Sequence, residues 1–440
     1  MSGQRRSNRS PAVIALLVFG ALFHASPLRA QDNGADNGHV SPDSAELIRA
    51  SLERPPGKPP YDAVDVVALP FRIVAFPLRL VARANAKLVA FAAQRLEPQE
   101  YSLFQMIADE GFKPYFGSIG QRSSFAAGLR FDRWNPLFVE GVYSLRGSQR
   151  YTVGFDFNRP THRLEGNYRF QRDTEPHYWG IGPDTEYDDR VDYRWDRQTV
   201  SATGTLRLPP LALVGGVSYQ DNLVGRGSDD DRDDIQDLPG EDRPYGVNER
   251  TKYFVFNLSG SLDRTFNRAN NQARGIFLQV GSSLFLGADG TDSDFLRVSG
   301  DVFGYVPINL RQQFAIRGLL EVNRGWGEGV PFTHLALLGD ERGSRAYSEG
   351  RFRDRDMLAV MAEWRYEVWR ELHERGRVES FLFLDTGTID RHLTDMRLRK
   401  LYWSSGFGFR VVWSGQVRWL AYLGFGRDGA RFDANVRWAF

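Results

Sequence analysis

From about Phe112 to its last residue the chain alternates apolar and polar residues with a period of two. Leu358, Val360, Ala362, Trp364, Tyr366 and Val368 interleave with Ala359, Met361, Glu363, Arg365 and Glu367. Phe314, Ile316, Gly318, Leu320 and Val322 interleave with Gln313, Arg317, Glu321 and Asn323. Leu296, Val298, Gly300, Val302, Gly304 and Val306 interleave with Arg297, Ser299 and Asp301. At the end Phe432, Ala434, Val436, Trp438 and Phe440 interleave with Asp433, Asn435, Arg437 and Ala439. Neighbouring side chains on a strand point to opposite faces, so each segment has one greasy and one charged side. A soluble sandwich alternates too, but these runs reach about ten residues or more, where soluble strands average about five or six. Their polar face mixes Arg and Glu, as a wet lumen allows, and aromatics crowd the strand ends as in interfacial girdles. A closed barrel is the only sheet that can sit in lipid, because it leaves no unpaired edge. The expected fold is therefore all-β, a transmembrane antiparallel barrel over 112–440. At roughly 20 residues per strand and turn, 14 to 18 strands fit.

The N-terminus supports export. Arg5, Arg6 and Arg9 precede the apolar run Ala12 to Ala25, and Ser26-Pro27-Leu28-Arg29-Ala30 offers a cleavage site after Ala30. That run is too short to span a bilayer, which takes about 20 apolar residues. Residues 1–30 thus read as a signal peptide, and 31–60 as a Pro-rich linker. Residues 61–111 read as an amphipathic helical segment in the periplasm, broken at Pro70 and Pro77. Its apolar bulk, with Arg83, Lys87 and Arg95, suits either a membrane surface or a docked helix. Asn222 to Arg250, with Asp229-Asp230-Asp231-Arg232-Asp233-Asp234, reads as a long solvated outer loop.

Composition excludes several classes. The 440 residues hold 56 Lys+Arg against 55 Asp+Glu, and loss of the signal's four Arg turns a formal charge of +1 into −3, so no nucleic-acid partner is expected. Cysteine is absent, which rules out a disulfide scaffold and thiolate metal sites. His39, His162, His177, His334, His373 and His392 are scattered without metal-ligand spacing, and no Gly-x-Ser-x-Gly elbow occurs. No enzyme activity, cofactor or metal is expected. All but five of the basic residues are Arg, whose planar, multi-donor head suits dense polar ladders.

The stretch Leu338-Gly339-Asp340-Glu341-Arg342-Gly343-Ser344-Arg345-Ala346-Tyr347-Ser348-Glu349-Gly350-Arg351-Phe352-Arg353-Asp354 resembles the bacterial surface antigen barrel family, which includes BamA, TamA and the two-partner secretion transporters. That family carries a long loop with an Arg-Gly-aromatic tip, often followed by Gly-Arg-Phe-Arg-Asp; here Ala346 stands where the Gly is usual. Tyr178-Trp179-Gly180-Ile181-Gly182-Pro183 resembles its aromatic-Gly-x-Gly strand. Asp263-Arg264-Thr265 with Ala273-Arg274-Gly275 resembles its Asp-x-Arg…Gly hairpin. Phe383-Leu384-Asp385-Thr386-Gly387 and Ser405-Gly406-Phe407-Gly408-Phe409-Arg410 resemble two later strands, and Trp438 with terminal Phe440 resembles the C-terminal barrel signal.

The resemblance implies 16 strands and a bacterial outer-membrane location. It also implies that Arg345, beside Tyr347, folds into the lumen to meet Glu363 and Asp385. Both acids fit on their own terms, Glu363 on the polar register of its strand and Asp385 closing an apolar run. Family insertases carry periplasmic POTRA modules, and 31–111 lacks the strands for one, so a barrel without POTRA domains is expected. Two readings stand. An assembly or translocation barrel would guide an unfolded outer-membrane protein or secreted client through a weakly closed seam, between the strand near Phe125 and that ending at Phe440. Arg345 would then be a latch. A structural or porin-like barrel would keep a stable seam, and Arg345 would only brace a plug. Outer-membrane lipid and lipopolysaccharide are the expected surroundings; no oligomeric state follows.

Overall fold

A computed structural model describes residues 110–120, 125–228, 233–267, 273–370, 376–397, 400–413 and 416–435. The expected signal peptide, linker and nearly all of the helical segment lie outside them, as do Trp438 and Phe440. The strands in chain order are β1 Phe112–Gly117, β2 Ala126–Phe131, β3 Leu137–Ser144, β4 Gln149–Asn158 and β5 His162–Asp173. Then come β6 His177–Tyr178, β7 Val191–Asp192, β8 Arg194–Leu208, β9 Leu211–Gly225, β10 Arg250–Asn267 and β11 Ala273–Gly287. There follow β12 Ser293–Pro307, β13 Gln312–Gly327, β14 Ala336–Leu338, β15 Phe352–Asp354 and β16 Asp356–Arg370. The last are β17 Gly376–Asp390, β18 Tyr402–Trp413, β19 Gln416–Gly426 and β20 Gly429–Asn435. Sixteen of these form one antiparallel sheet in sequence order; β6 pairs only with β7, and β14 only with β15. No α-helix occurs among the described residues, only three short 3-10 turns.

The alternation becomes two faces. Leu213, Val217, Phe254, Phe256, Leu258, Val280, Ile316 and Val360 are exposed on the outer, lipid-facing side. Their neighbours Asn257, Gln279 and Ser299 face inward and stay open to the lumen, whereas Glu363, Arg365, Glu379 and Arg410 are buried there. Strand connections also alternate in length. Pro209–Pro210 and Ile308–Arg311 turn tightly at one end, while the connections over 174–193, 226–249 and 328–355 are long at the other. In outer-membrane barrels the short turns are periplasmic and the long loops external.

Three expectations are corrected. The sheet begins with β1, one strand before the segment at Phe125. β1 is only six residues long and holds Pro114, which weakens a strand signal. Tyr178 to Pro183 is not a barrel strand, because Gly180 and Gly182 take φ of +103° and +100° and turn the chain back. Tyr178 and Trp179 are buried beneath the outer loops. The segment Asn222 to Arg250 is no wholly solvated loop. β9 and β10 claim its ends, and Ile235 and Val247 pack with Tyr178, Tyr193, Tyr253, Phe295 and Phe332 into an apolar cap. Asp234, within the acidic run, accepts from the backbone N–H of Gly227 at 2.6 Å and of Gln236 at 2.8 Å.

Val280 lies at the middle of β11 and faces lipid, so Val280→Arg should cost about 2–4 kcal/mol. Gln279→Arg, one residue away but lumen-facing, should cost far less. Urea unfolding from lipid vesicles compares the two, and equal losses would refute the face assignment.

Candidate functional site

The connection from β13 to β16 folds inward as a hairpin. β14 and β15 pair through Ala336↔Asp354, Leu337↔Arg353 and Leu338↔Phe352. Gly339 follows with φ +131°, where a Cβ would lie 2.0 Å from the Ser348 carbonyl oxygen, so only glycine fits. The backbone N–H of Asp340 donates to the carbonyls of Ser344 (2.9 Å) and Tyr347 (3.0 Å), closing a tight lobe around Arg345, Ala346 and Tyr347. Among the described residues Ala346 is not at positive φ, so the side chain replacing the usual glycine brings no backbone strain there.

Arg345 is 1% exposed and meets two acids from neighbouring strands. Its Nε and Nη2 donate to Asp385 at 2.8 and 2.6 Å, and its backbone N–H adds a third bond to Asp385 at 3.1 Å. Its Nη1 donates to Glu363. Asp385 on β17 also accepts from Ser404 (3.2 Å), and Glu363 on β16 from Arg365 Nε (2.7 Å). The Arg345 guanidinium lies 4.0 Å from the Phe383 ring centroid. Burial alone would lower the Arg345 pKa, but the charges of Asp385 and Glu363 outweigh it and raise it. Asp385 is 0% exposed, so removal of one partner would strand the other in a low dielectric.

The other expected residues do different work. Tyr347 is buried against Phe352 and Tyr402, and its hydroxyl accepts from the Arg427 backbone N–H at 2.9 Å. Gly350 takes φ +70°. Arg351 donates to Asp428 (2.7 Å), in the β19–β20 turn, and to Thr185 (2.8 and 3.0 Å) in an outer loop. Phe352 stacks on Tyr402 at 3.7 Å, and Arg353 donates to the carbonyls of His177 (3.0 Å) and Phe332 (3.3 Å). Asp354 accepts from the Arg355 backbone N–H at 2.7 Å. Thus Arg345, Glu363 and Asp385 come together, while 350–354 stitch the loop to the outer cap.

Sequence reasoning missed a second polar cluster. Arg431 of β20 donates to Asp340 (2.9 Å), to Asp433 (2.8 Å) and to the carbonyls of Arg345 (3.1 Å) and Tyr347 (2.9 Å). Tyr422 of β19 donates to Asp340 at 2.7 Å. The signal was present: Arg431 and Asp433 share the polar register of the last strand, and Asp340 sits in the loop motif.

An Omp85 superfamily domain matches residues 120–418. No curated protein sequence matches the chain significantly. Among solved structures, BamA from Haemophilus ducreyi lacking POTRA domains 1–3 is similar at 15% identity and TM-score 0.53, covering 74% of this chain and 68% of that one. CdiB from Escherichia coli is similar at 13% identity and TM-score 0.48, covering 74% and 61%. CdiB from Acinetobacter baumannii is similar at 12% identity and TM-score 0.44, covering 74% and 59%. This chain therefore spans about three fifths of the CdiB chains. The likeness to BamA is one of fold.

Arg345→Met should cost about 3–5 kcal/mol by leaving Asp385 buried and unpaired. Arg345→Met with Asp385→Leu should recover a good part of that loss; unfolding in vesicles checks it, and a double variant weaker than the single would refute the pairing. His334, in the outer loop, is caged by Trp195, Tyr253, Phe285 and Phe295 at 5.4–6.0 Å. Burial, reinforced by the charges of Arg297 and Arg197, pushes its pKa from 6.5 down to about 3. The folded cap therefore disfavours the proton that the unfolded chain accepts, so this support is complete above pH 6.5 and drains away from there down to about pH 3. Protection from hydrogen exchange over residues 330–336, referred to the intrinsic rate at each pH, should fall across that window in the wild type and less in His334→Phe. Parallel profiles would exclude His334 as the cause.

Proposed function

The chain belongs to the Omp85 superfamily, and from that premise we propose that it is a gated outer-membrane barrel that assembles outer-membrane proteins or translocates a polypeptide. Omp85-family barrels handle protein clients in the outer membrane. The observation that carries the reading is the buried Arg345 held by Asp385 and Glu363, which seats a long external loop inside the barrel. A loop held by a few charge-assisted bonds would be either seated in the lumen or displaced from it. In the lumen each guanidinium nitrogen of Arg345 has a carboxylate acceptor; once it is displaced, the carboxylates need water or another cation. Gating follows from that contrast, because a client or solvent that fills the lumen supplies what the loop leaves behind. Residues 61–111 would lie in the periplasm, where POTRA modules otherwise receive clients. Lipid and lipopolysaccharide surround the barrel, and an unfolded outer-membrane protein or a secreted polypeptide is the client. The reading assigns no catalytic step.

A porin-like barrel with passive conduction is the competing reading. The packed cap of Tyr178, Tyr193, Phe332 and their neighbours, tied to the loop by Arg353, works against it, since an open pore needs a clear outer mouth.

Single-channel recording in planar bilayers separates the two. The gated reading expects a quiet wild type, large flickering openings in Arg345→Ala, and a lesser effect in Arg345→Lys, which keeps a charge but not the two-pronged geometry. Steady and identical conductance in all three would refute the latch and leave a passive barrel.

A further inference from the structure

The loop tip rests on two walls of the barrel. Arg345 fixes it to β16 and β17; the second wall is the β19–β20 hairpin, the last described pair of strands. There the backbones nearly touch. A Cβ on Gly424 would lie 3.2 Å from the Ala346 Cα, and one on Gly426 would lie 2.9 Å from the Ala346 Cβ and 3.1 Å from the Tyr347 ring. The guanidinium of Arg431 reaches across this contact. Besides its bonds to Asp340 and Asp433, one nitrogen, Nη1, donates to the carbonyls on both sides of Ala346. A carbonyl pair this close to one donor exists only when the tip is seated, so the Arg431 contact reports the seating of the loop. Arg427 N–H to Tyr347 and Arg351 to Asp428 bind the same hairpin to the same loop.

We propose that Arg431 is a positioning residue that fastens the last hairpin to the seated loop tip, so that tip and hairpin move as one body and unseating the tip frees the C-terminal side of the barrel. This rests on the gated reading above for its consequence, but the mechanical coupling stands on the contacts themselves. Arg431 links the tip backbone to β20 directly, through the carbonyls of Arg345 and Tyr347. Asp340 is its acceptor on the loop, and Tyr422, which donates to Asp340, is its companion on β19. Lysine could not replace it, because one ammonium cannot reach two carbonyls and two carboxylates in the same plane.

The test uses the full chain in lipid vesicles with hydrogen exchange as the readout. Arg431→Gln should raise exchange in residues 422–431 by roughly tenfold, the loss expected for hydrogen bonds to a charged group, while β16 and β17 stay at wild-type rates. The chain has no cysteine, so Ala346→Cys with Gly426→Cys can supply one clean disulfide between the same two bodies. Disulfides hold Cβ atoms at about 3.8 Å, a separation within about 1 Å of that present here. Oxidised, this crosslink should return the hairpin of Arg431→Gln to within about twofold of the parent, and reduction should undo the rescue. Unchanged exchange in Arg431→Gln would overturn the proposal. So would a rise shared equally by β16 and β17, or a formed crosslink that rescues nothing, since each would make Arg431 a local structural residue. Should Arg431→Gln not fold, Asp340→Ala removes the acceptor at the other end of the same bond and is read by the same criteria. A silent Arg345→Ala in planar bilayers, beside a rescued hairpin in vesicles, would refute the gating and leave the coupling intact.

Discussion

One buried guanidinium shared by two carboxylates sets the position of the long loop. Arg345, Asp385 and Glu363 are each almost wholly withdrawn from water, and none could stay charged there alone. Mutual pairing stabilises the arrangement only when the loop places Arg345 within bonding distance of both acids. The loop's path follows from that requirement: a short β14–β15 ladder to aim it, Gly339 to turn it, and a lobe closed on the Asp340 N–H. A buried ion pair of this kind adds little net stability over well-packed apolar groups, yet losing one member is costly. It specifies a position more than it strengthens a fold.

The inner wall repeats the same chemistry at several points. Arg377 and Arg410 flank Glu379, Arg365 approaches Glu363, and Arg317 holds Asp301. These pairs stay in the barrel wall and brace neighbouring strands. Those of Arg345, Arg351, Arg353 and Arg431 instead join the wall to the loop or the loop to the cap. The scarcity of lysine acquires a structural sense here, since each of these four Arg reaches two or more acceptors at once, and a single ammonium would satisfy them poorly.

Much of this was legible in the residues, and the reasons differ between parts. Alternation in β12, β13 and β16 was readable because a membrane barrel imposes opposite solvents on the two faces of every strand. The Arg345 contacts were implied by the family resemblance of the loop motif, and the register of Glu363 agreed with it. β1 escaped because it is short and holds Pro114. The cap escaped because its partners are far apart in sequence. Ile235 looks like one apolar residue in an acidic run, and nothing local shows that it closes onto Tyr253 and Phe295. Tyr178 and Trp179 read as a strand for a related reason: two large aromatics fit a pleat, but the positive φ of Gly180 and Gly182 turns them into the cap. Arg431 stood in the correct register, yet register alone says which face a side chain occupies and not which loop it meets.

The two clusters at the tip also constrain each other. Asp340 and Asp385 hold opposite sides of one small lobe, whose width is fixed by the bonds from the Asp340 N–H to Ser344 and Tyr347. If Arg345 left Asp385, the lobe would have to turn about its remaining attachments, Arg431 on β20 and Tyr422 on β19 among them. The turn would either break the bonds to the carbonyls of Arg345 and Tyr347 or carry β20 with it. Breaking them strands Arg431 between Asp340 and Asp433 without its carbonyl partners; carrying β20 strains its ladder with β19, which runs from Leu420↔Asn435 to Gly426↔Gly429. On the gated reading, a loop tied both to β20 and to a buried charge pair on β16 and β17 would pass a local change at Arg345 to the described C-terminal hairpin.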